Sequence, residues 1–499
     1  MLFNSYIFVF IFFPLCLAGY YGLVRAGKPG AARVFLTGMS LWFYGYFNLS
    51  YLLIMVLSIG GNYLFHRLLS RMVSDGGEKA PGANGSATSA RVVMALAVTV
   101  NLGVLFWFKY LDFFLGTLNG VLGTDFVLRG ILLPLGISFF TFQQISFIVD
   151  TYRGETAFCS LSEYALFVSF FPQLIAGPIV NHSEMLPQFR AMGEKKPDWE
   201  RIAGGFALFV AGLAKKVLLA DTLGAGVDYG YENLAGLGRM DAVLVILFYA
   251  LQLYFDFSGY CDMALGIGSM LNIGLPVNFN SPYKAVSVSD FWDRWHMTLT
   301  RFFTRYLYIP LGGSRRGKAR TCLNTMIVFL VSGLWHGANW TFLLWGALHG
   351  IVMVVEKLTN ITSLKLPRWI KISITFLLVT FGWSLFRADS IRDAVLLWQQ
   401  LFHGGFGGLY QPITDAFQDF IEISILYRLG LGGIMASYPW LAVTAFTLLS
   451  LLGCFTMKNT QEKMEHFTLS NKKLLTVVIL MFWSILSLSE ISEFLYFNF

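Results

Sequence analysis

Apolar runs of about 20 residues recur from one end of the chain to the other with few polar gaps, the pattern of a chain that crosses a bilayer many times. Spans are predicted near residues 5–24, 34–48, 50–69, 92–117, 130–149, 161–180, 203–222, 241–271, 322–338, 340–356, 370–387, 439–456 and 473–491. The predicted fold class is an all-α polytopic membrane protein of about 11–13 transmembrane helices, organised as a single integral membrane domain over residues 1–499. In the first run Lys and Arg follow the apolar stretch (RAGKPGAAR) instead of preceding it, and further spans come directly after. It reads as an uncleaved first helix and not as a signal peptide.

Composition strengthens this picture, with 56% of residues hydrophobic and only 13% charged, against about 25% charged in an average soluble domain. Positive charge gathers after the first span (Arg25, Lys28, Arg33), between the third and fourth (Arg67, Arg71, Lys79, Arg91), and at Arg315, Arg316, Lys318 and Arg320. The positive-inside rule assigns these loops to the cytoplasm and the N-terminus to the outside. The C-terminal SEISEFLYFNF has two glutamates and no positive charge, in keeping with an outside end. Membrane topology thus accounts for the net charge of +7, and no nucleic acid is needed to explain it.

Two polar connections interrupt the pattern. Residues 72–91, rich in Gly, Ala and Ser, read as a floppy cytoplasmic loop. Residues 404–438 begin GGFGGLYQP and contain DAFQDFIEISILYRLG, where Phe417, Phe420, Ile421 and Ile425 oppose Asp415, Asp419 and Glu422, with Ser424 and Leu426 as imperfections. This segment is either an amphipathic helix on the membrane or on a partner, or a helix packed on its own protein. The five cysteines (Cys16, Cys159, Cys261, Cys322, Cys454) are scattered without CxxC spacing and read as packing residues. No internal repeat of the kind common among transporters is present.

Chemistry concentrates between Asp290 and Gly350. Arg294, Thr298, Arg301 and Arg305 share one helical face, and Trp292, Trp295, Leu299, Phe302 and Tyr306 another, which predicts an interfacial helix with a cationic stripe. With Arg315, Arg316, Lys318 and Arg320 that stripe either holds a phosphorylated donor such as coenzyme A at the cytoplasmic mouth or meets anionic lipid headgroups and sets topology. His296 falls near the cytoplasmic side. His336 lies 16 residues beyond Arg320, roughly 20 Å along a helix and so near or past mid-membrane, well inside a predicted span.

A titratable imidazole at membrane depth is costly unless paired or wet, which makes His336 a candidate for function. Gly333 and Gly337 form a GxxxG step beside it, and Ser332, Trp335, Asn339 and Trp340 offer hydrogen-bond partners. Such a histidine can act as general base on a hydroxyl that attacks an activated acyl group. No GxSxG nucleophile motif accompanies it, so direct transfer from thioester to hydroxyl needs no covalent enzyme intermediate. A metal site would have to draw on His296, His336 and His349, which lack the close spacing of common sites. Asp256 and Asp262 in apolar YFDFSGYCDM must be paired, protonated or wet, in a structural or a catalytic role. Gln143, Gln144 and Gln173 either line a tunnel or tie helix to helix, and Pro172 and Pro178 around Gly177 predict a broken helix.

Several of these stretches carry a family resemblance: PLGISFFTFQQISFIVDTYRG (134–154), FFPQLIAGPIV (170–180), LQLYFDFSGYCDMALGIG (251–268), NFNSPYKA (278–285), SDFWDRWHMTLTRFFTRYLYIPLGGSR and GLWHGANWTFLLWGALHG. Together they cover most of residues 134–350, and the chain resembles the membrane-bound O-acyltransferase superfamily, in particular its bacterial branch typified by the alginate O-acetyltransferase membrane subunit. The resemblance implies that His336 is the catalytic histidine and His296 a supporting one. It also implies a ring of helices around a thin central tunnel in which a cytoplasmic donor, acetyl-coenzyme A or another acyl thioester, meets an acceptor from the other side. Trp335, Asn339, Ser332 and Gln173 are then the candidates to line that tunnel, and Arg294, Arg301, Arg305, Arg315 and Arg316 to hold the donor.

The sister branch that transfers D-alanine to teichoic acid shares the RWHM and WHG elements, but the IPLGG text here is of the alginate type, which favours O-acetylation of an exported polysaccharide. Members of the branch act with outer-face proteins that carry an esterase-like Ser-His-Asp domain, so such a partner is implied, with 404–438 as the candidate docking surface. The other implied associates are membrane lipid and the polysaccharide, in the inner membrane of a bacterium, with no bound cofactor and no metal. Two other classes remain open on residues alone: a transporter or flippase, and a scaffold for export machinery.

Overall fold

The computed structural model describes residues 1–75, 84–156, 158–194, 197–418, 427–460, 462, 467, 468, 470–488, 494 and 495. It is helical, with no strand among the described residues. Among the described residues, seven helices are long and apolar enough to cross a membrane: Phe8–Arg25, Leu49–Val73, Thr88–Leu122, Trp199–Glu232, Arg239–Met270, Trp340–Thr359 and Arg368–Arg387. Other apolar runs become helices of 16 or 17 residues, among them Pro29–Gly45, Ile137–Tyr152 and Trp440–Thr456, too short to span a core of about 30 Å unaided. Within the predicted 72–91 loop, helix continues to Asp75 and resumes at Asn84, while residues 76–83 lie outside the described residues. Most of the predicted amphipathic helix in 404–438 lies outside the described residues, but Phe417 is buried against Phe248 and Phe446, ring centroids 5.2 and 5.4 Å away, which is packing on its own protein.

The chain forms two compact units. The first comprises Met1–Phe209 and Met263–Pro276. Its core is aromatic: Phe8 and Phe12 pack on Phe43 and Phe171 at 5.4–6.2 Å between centroids. The predicted 161–180 span is broken, as its prolines require, into Leu161–Ser169 and a single turn, Phe171–Leu174. Gly136 opens the Ile137–Tyr152 helix at φ +68°, and a Cβ there would lie 2.9 Å from the Leu174 carbonyl oxygen, so only glycine fits. Buried polar groups in this unit bind one another. Asp150 meets His182 at 3.1 Å and Arg153 at 3.6 Å, His66 meets Thr151 at 3.0 Å, and Asn62 pairs with Asn101.

The second unit, Val210–Asp262 and Val277–Phe499, carries the histidines singled out above. The single interfacial helix predicted across 292–306 is two short helices, Val288–Trp292 and Met297–Phe303, followed by a π-helical turn, Thr304–Tyr308. The break falls at His296, whose φ of +46° no α-helix tolerates. Trp292, Trp295, Leu299 and Phe302 are nevertheless buried, so the apolar face survives the break.

Candidate active site

His336 is the last residue of the Lys318–His336 helix and not an interior one. Gly337 turns fully extended (φ −158°, ψ 146°), and Asn339 then caps the Trp340–Thr359 helix by accepting the Thr341 N–H at 3.1 Å. The two helices form a hairpin with His336 at its bend. They pack closely because Gly333 lacks a side chain: a Cβ there would strike the Phe342 carbonyl oxygen and come within 3.4 Å of the Gly346 Cα. The helix from Lys318 carries His336 roughly 27 Å from its basic end. Its buried imidazole packs among the rings of Trp335, Trp345 and Phe386, with centroids 4.8, 5.3 and 5.1 Å away.

Spacing put His296 and His336 at two depths, yet a single indole separates them. Trp335 lies 4.8 Å from His336 and 6.2 Å from His296. Non-local folding brings them together, through the left-handed turn at His296. Asn278, a residue that pattern reading did not single out, holds that turn. Its Oδ1 accepts from the Thr298 N–H at 3.2 Å and the Thr298 hydroxyl at 2.9 Å, its Nδ2 donates to Cys261 Sγ at 3.4 Å, and its carbonyl accepts from Met297 N–H. With Oδ1 thus fixed as an acceptor, His296 Nδ1, 3.1 Å away, must be the protonated nitrogen, leaving Nε2 the lone pair. Burial lowers the pKa of this imidazole and keeps it neutral.

A cavity of about 1950 Å³ opens within this unit. Asn339, Phe342 and Phe386 are among its walls, and Phe386 is also the ring neighbour of His336. One end is lined by Lys215, Lys216, Asp221 and Lys458, the other by Asp228, Arg387 and Asp389. Lys216 to Asp228 along one helix is about 18 Å, roughly a third of the length of Trp199–Glu232. Both intramembrane carboxylates are paired: Asp262 with Lys215 at 2.6 Å and Asp256 with Lys216 at 2.8 Å, the latter lysine also reaching Asp221 at 2.8 Å. Consecutive lysines thus serve carboxylates six residues apart, and Lys215–Ala220 is a π-helical turn, a distortion frequent at functional sites.

The other predicted site residues distribute unevenly. Ser332 is buried one turn before His336, and Asn339 donates to the Asp389 carbonyl at 2.7 Å. Gln173 belongs to the first unit, where it is buried and donates to the Phe167 carbonyl at 2.8 Å. Arg294 is tied to Asp290 at 2.7 Å, Arg305 lies 5.5 Å from the Tyr306 ring centroid, and Arg301, Arg315 and Arg316 are exposed. The cavity walls include none of these five arginines. The cations on its walls are Lys215, Lys216, Arg387 and Lys458, and the sequence signal for the first two was a Lys-Lys pair inside an apolar run with two aspartates in another.

Residues 151–388 match the sequence model of MBOAT, the membrane-bound O-acyltransferase family. A peptidoglycan O-acetyltransferase of Helicobacter pylori is 42% identical over 425 residues, 79% of this chain and 78% of that protein. A probable alginate O-acetylase of Pseudomonas aeruginosa is 38% identical over 81% of this chain and 75% of its own length. A teichoic acid D-alanyltransferase of Bacillus subtilis is 27% identical over half of this chain. Identity of this extent, a helical multi-pass fold and the match that contains both histidines make this chain a member of the membrane-bound O-acyltransferase family, and its activity that of an O-acyltransferase.

Proposed function

We propose that this enzyme moves an acetyl group from a cytoplasmic acyl thioester, acetyl-coenzyme A or a carrier-bound equivalent, to a hydroxyl of an exported glycan, directly or through an esterase-like partner on the outer face. His336 is the general base: it takes the hydroxyl proton as the oxygen attacks the thioester carbonyl carbon, the C–S bond breaks, and the proton passes to the departing thiolate. The observation that carries this reading is the position of His336, at the C-terminal end of a 19-residue helix and against a wall residue of the cavity. The carbonyls at a helix C-terminus favour the imidazolium that forms when the proton arrives. His296, neutral and oriented by Asn278, supports it across Trp335. The donor enters from the side of the basic loops, which leaves the N-terminus outside and the protein in the inner membrane.

Acetylation is favoured over D-alanylation because the relatives at 38–42% identity are O-acetyltransferases, against 27% for the D-alanyltransferase. The test is acetyl release from radiolabelled acetyl-coenzyme A by the purified protein in nanodiscs, with and without candidate outer-face partners. Wild-type turnover that falls on the order of 10²- to 10⁴-fold in His336→Ala is the expected result. Equal turnover in the two proteins would overturn the role of His336.

A further inference from the structure

Resting on the reading that His296 supports the transfer, we propose that Asn459 and Thr460 are positioning residues for the reaction. They belong to a strap, residues 457–460, that follows the Trp440–Thr456 helix and steadies the left-handed turn at His296 from the cavity side. The strap lies outside the matched stretch 151–388, and its contacts tie it to residues inside that stretch. Asn459 is oriented by its own turn: its Oδ1 accepts the Glu462 N–H at 2.8 Å, so the amide must present Nδ2 to its other neighbours. That nitrogen donates to Asn280 Oδ1 at 2.6 Å and more weakly to Glu462 Oε1 at 3.4 Å. Two residues earlier, the Met457 carbonyl accepts from Lys284 Nζ at 2.8 Å. At the other end of the strap the Thr460 hydroxyl donates to Asp262 Oδ1 at 2.6 Å, while Oδ2 of the same carboxylate holds Lys215. The 278–285 segment is thereby pinned at two points and anchored through Thr460 to a buried ion pair.

That segment shapes the turn. Asn278 takes Met297 and Thr298 after His296, and Asn280 takes Arg294 before it, its N–H donating to the Arg294 carbonyl at 2.9 Å and its carbonyl accepting from Arg294 Nη1 at 3.4 Å. His296 and Ser281, the residue directly after Asn280, both sit at φ +46°. Residues other than glycine stay in the left-handed region only where their surroundings over-determine them, and both of these depend on the short stretch that the strap pins. Met457, Lys458, Asn459 and Ser281 all line the cavity, so the pinning contacts lie on a wall that a reactant meets. A loosened strap lets the 278–280 stretch shift, and the His296 imidazole with it, without taking any group away from the reacting atoms.

The experiment measures acetyl release from radiolabelled acetyl-coenzyme A by wild type, Asn459→Ala, Asn459→Asp, Thr460→Val, Asn278→Leu and the double variant Asn459→Ala, Asn278→Leu, each purified in nanodiscs. Asn459→Ala should lower kcat about tenfold and leave the KM for acetyl-coenzyme A within about twofold, because His296 is displaced while the donor contacts are not. Asn459→Asp should recover most of that loss, since the Asn280 amide can rotate to donate to the carboxylate. In Asn278→Leu, where the turn is already released, adding Asn459→Ala should cost less than about twofold more. Thr460→Val keeps the shape, removes the hydroxyl from Asp262, and should lower kcat roughly threefold or more. Unchanged kcat in Asn459→Ala overturns the proposal, as does a loss carried by KM or losses that multiply in the double variant. If Asn459→Ala does not fold, unchanged kcat in Thr460→Val overturns it instead. Wild-type turnover in Asn278→Leu removes the part given to His296 and the proposal with it, whereas no release by wild type removes the acetyl-transfer reading beneath both.

Discussion

In the first unit, His182 meets the fully buried carboxylate of Asp150 at 3.1 Å and His66 meets Thr151 at 3.0 Å, inside a web that also draws in Arg153 and Asn181. In the second, His336 packs among three aromatic rings and His296 is held by a neutral amide. A carboxylate beside His182 and a hydroxyl beside His66 fix those rings in place, which suits an architectural role. The rings around His336 and the amide beside His296 carry no charge, and a general base must keep a nitrogen lone pair for the incoming proton. All four are histidines in mostly apolar surroundings, and their neighbours alone set them apart.

The largest effects should come from the two members of this comparison that differ most. His336→Ala is expected to remove turnover while leaving the thermal melt of the purified protein within a few degrees. Asp150→Ala should do the reverse: it strips a buried partner from His182 and Arg153 and should cost roughly 3 kcal/mol of stability, read as a lowered midpoint in detergent, while the protein that remains folded keeps its turnover. Lost turnover with an unchanged melt in Asp150→Ala would erase the distinction between the units.

A smaller effect is expected from Asn278→Leu. Without its Oδ1 the His296 tautomer is no longer dictated and the Thr298 N–H loses its acceptor, so kcat should fall about 10- to 100-fold, equivalent to roughly 1.4–2.7 kcal/mol. Asn278→Asp, which keeps the acceptor oxygen, should recover part of the loss; no difference between the two variants would remove Asn278 from the site. The smallest effect belongs to His349, fully buried with neither ring nitrogen hydrogen-bonded and packed on Trp292 and Trp345 at 5.1 and 5.0 Å. Replacement by Phe removes two unsatisfied polar atoms in exchange for similar shape, and stability and turnover should change by less than about 1 kcal/mol and twofold. A collapse of turnover in that variant would assign His349 a chemical part.

Much of the molecule was legible from pattern. Apolar periodicity located most helices to within a few residues, and the prolines at 172 and 178 located the broken segment, because both rest on local geometry that chain spacing sets directly. The short interfacial helices were misread as one, since the left-handed turn at His296 has no local signal: it exists because Asn278, 18 residues away in sequence, holds both sides of it.

By itself, then, the sequence determined the all-α membrane architecture and the family and singled out two histidines as candidates, all of which follow from composition, helical spacing and contiguous motifs. The tertiary structure alone decided that those histidines share one indole, that Asp256 and Asp262 are neutralised by two adjacent lysines, and that Arg387, Asp228 and Asp389 gather at one end of a cavity. Each of these depends on side chains tens to hundreds of residues apart, whose meeting is set by how helices pack and not by any period along the chain.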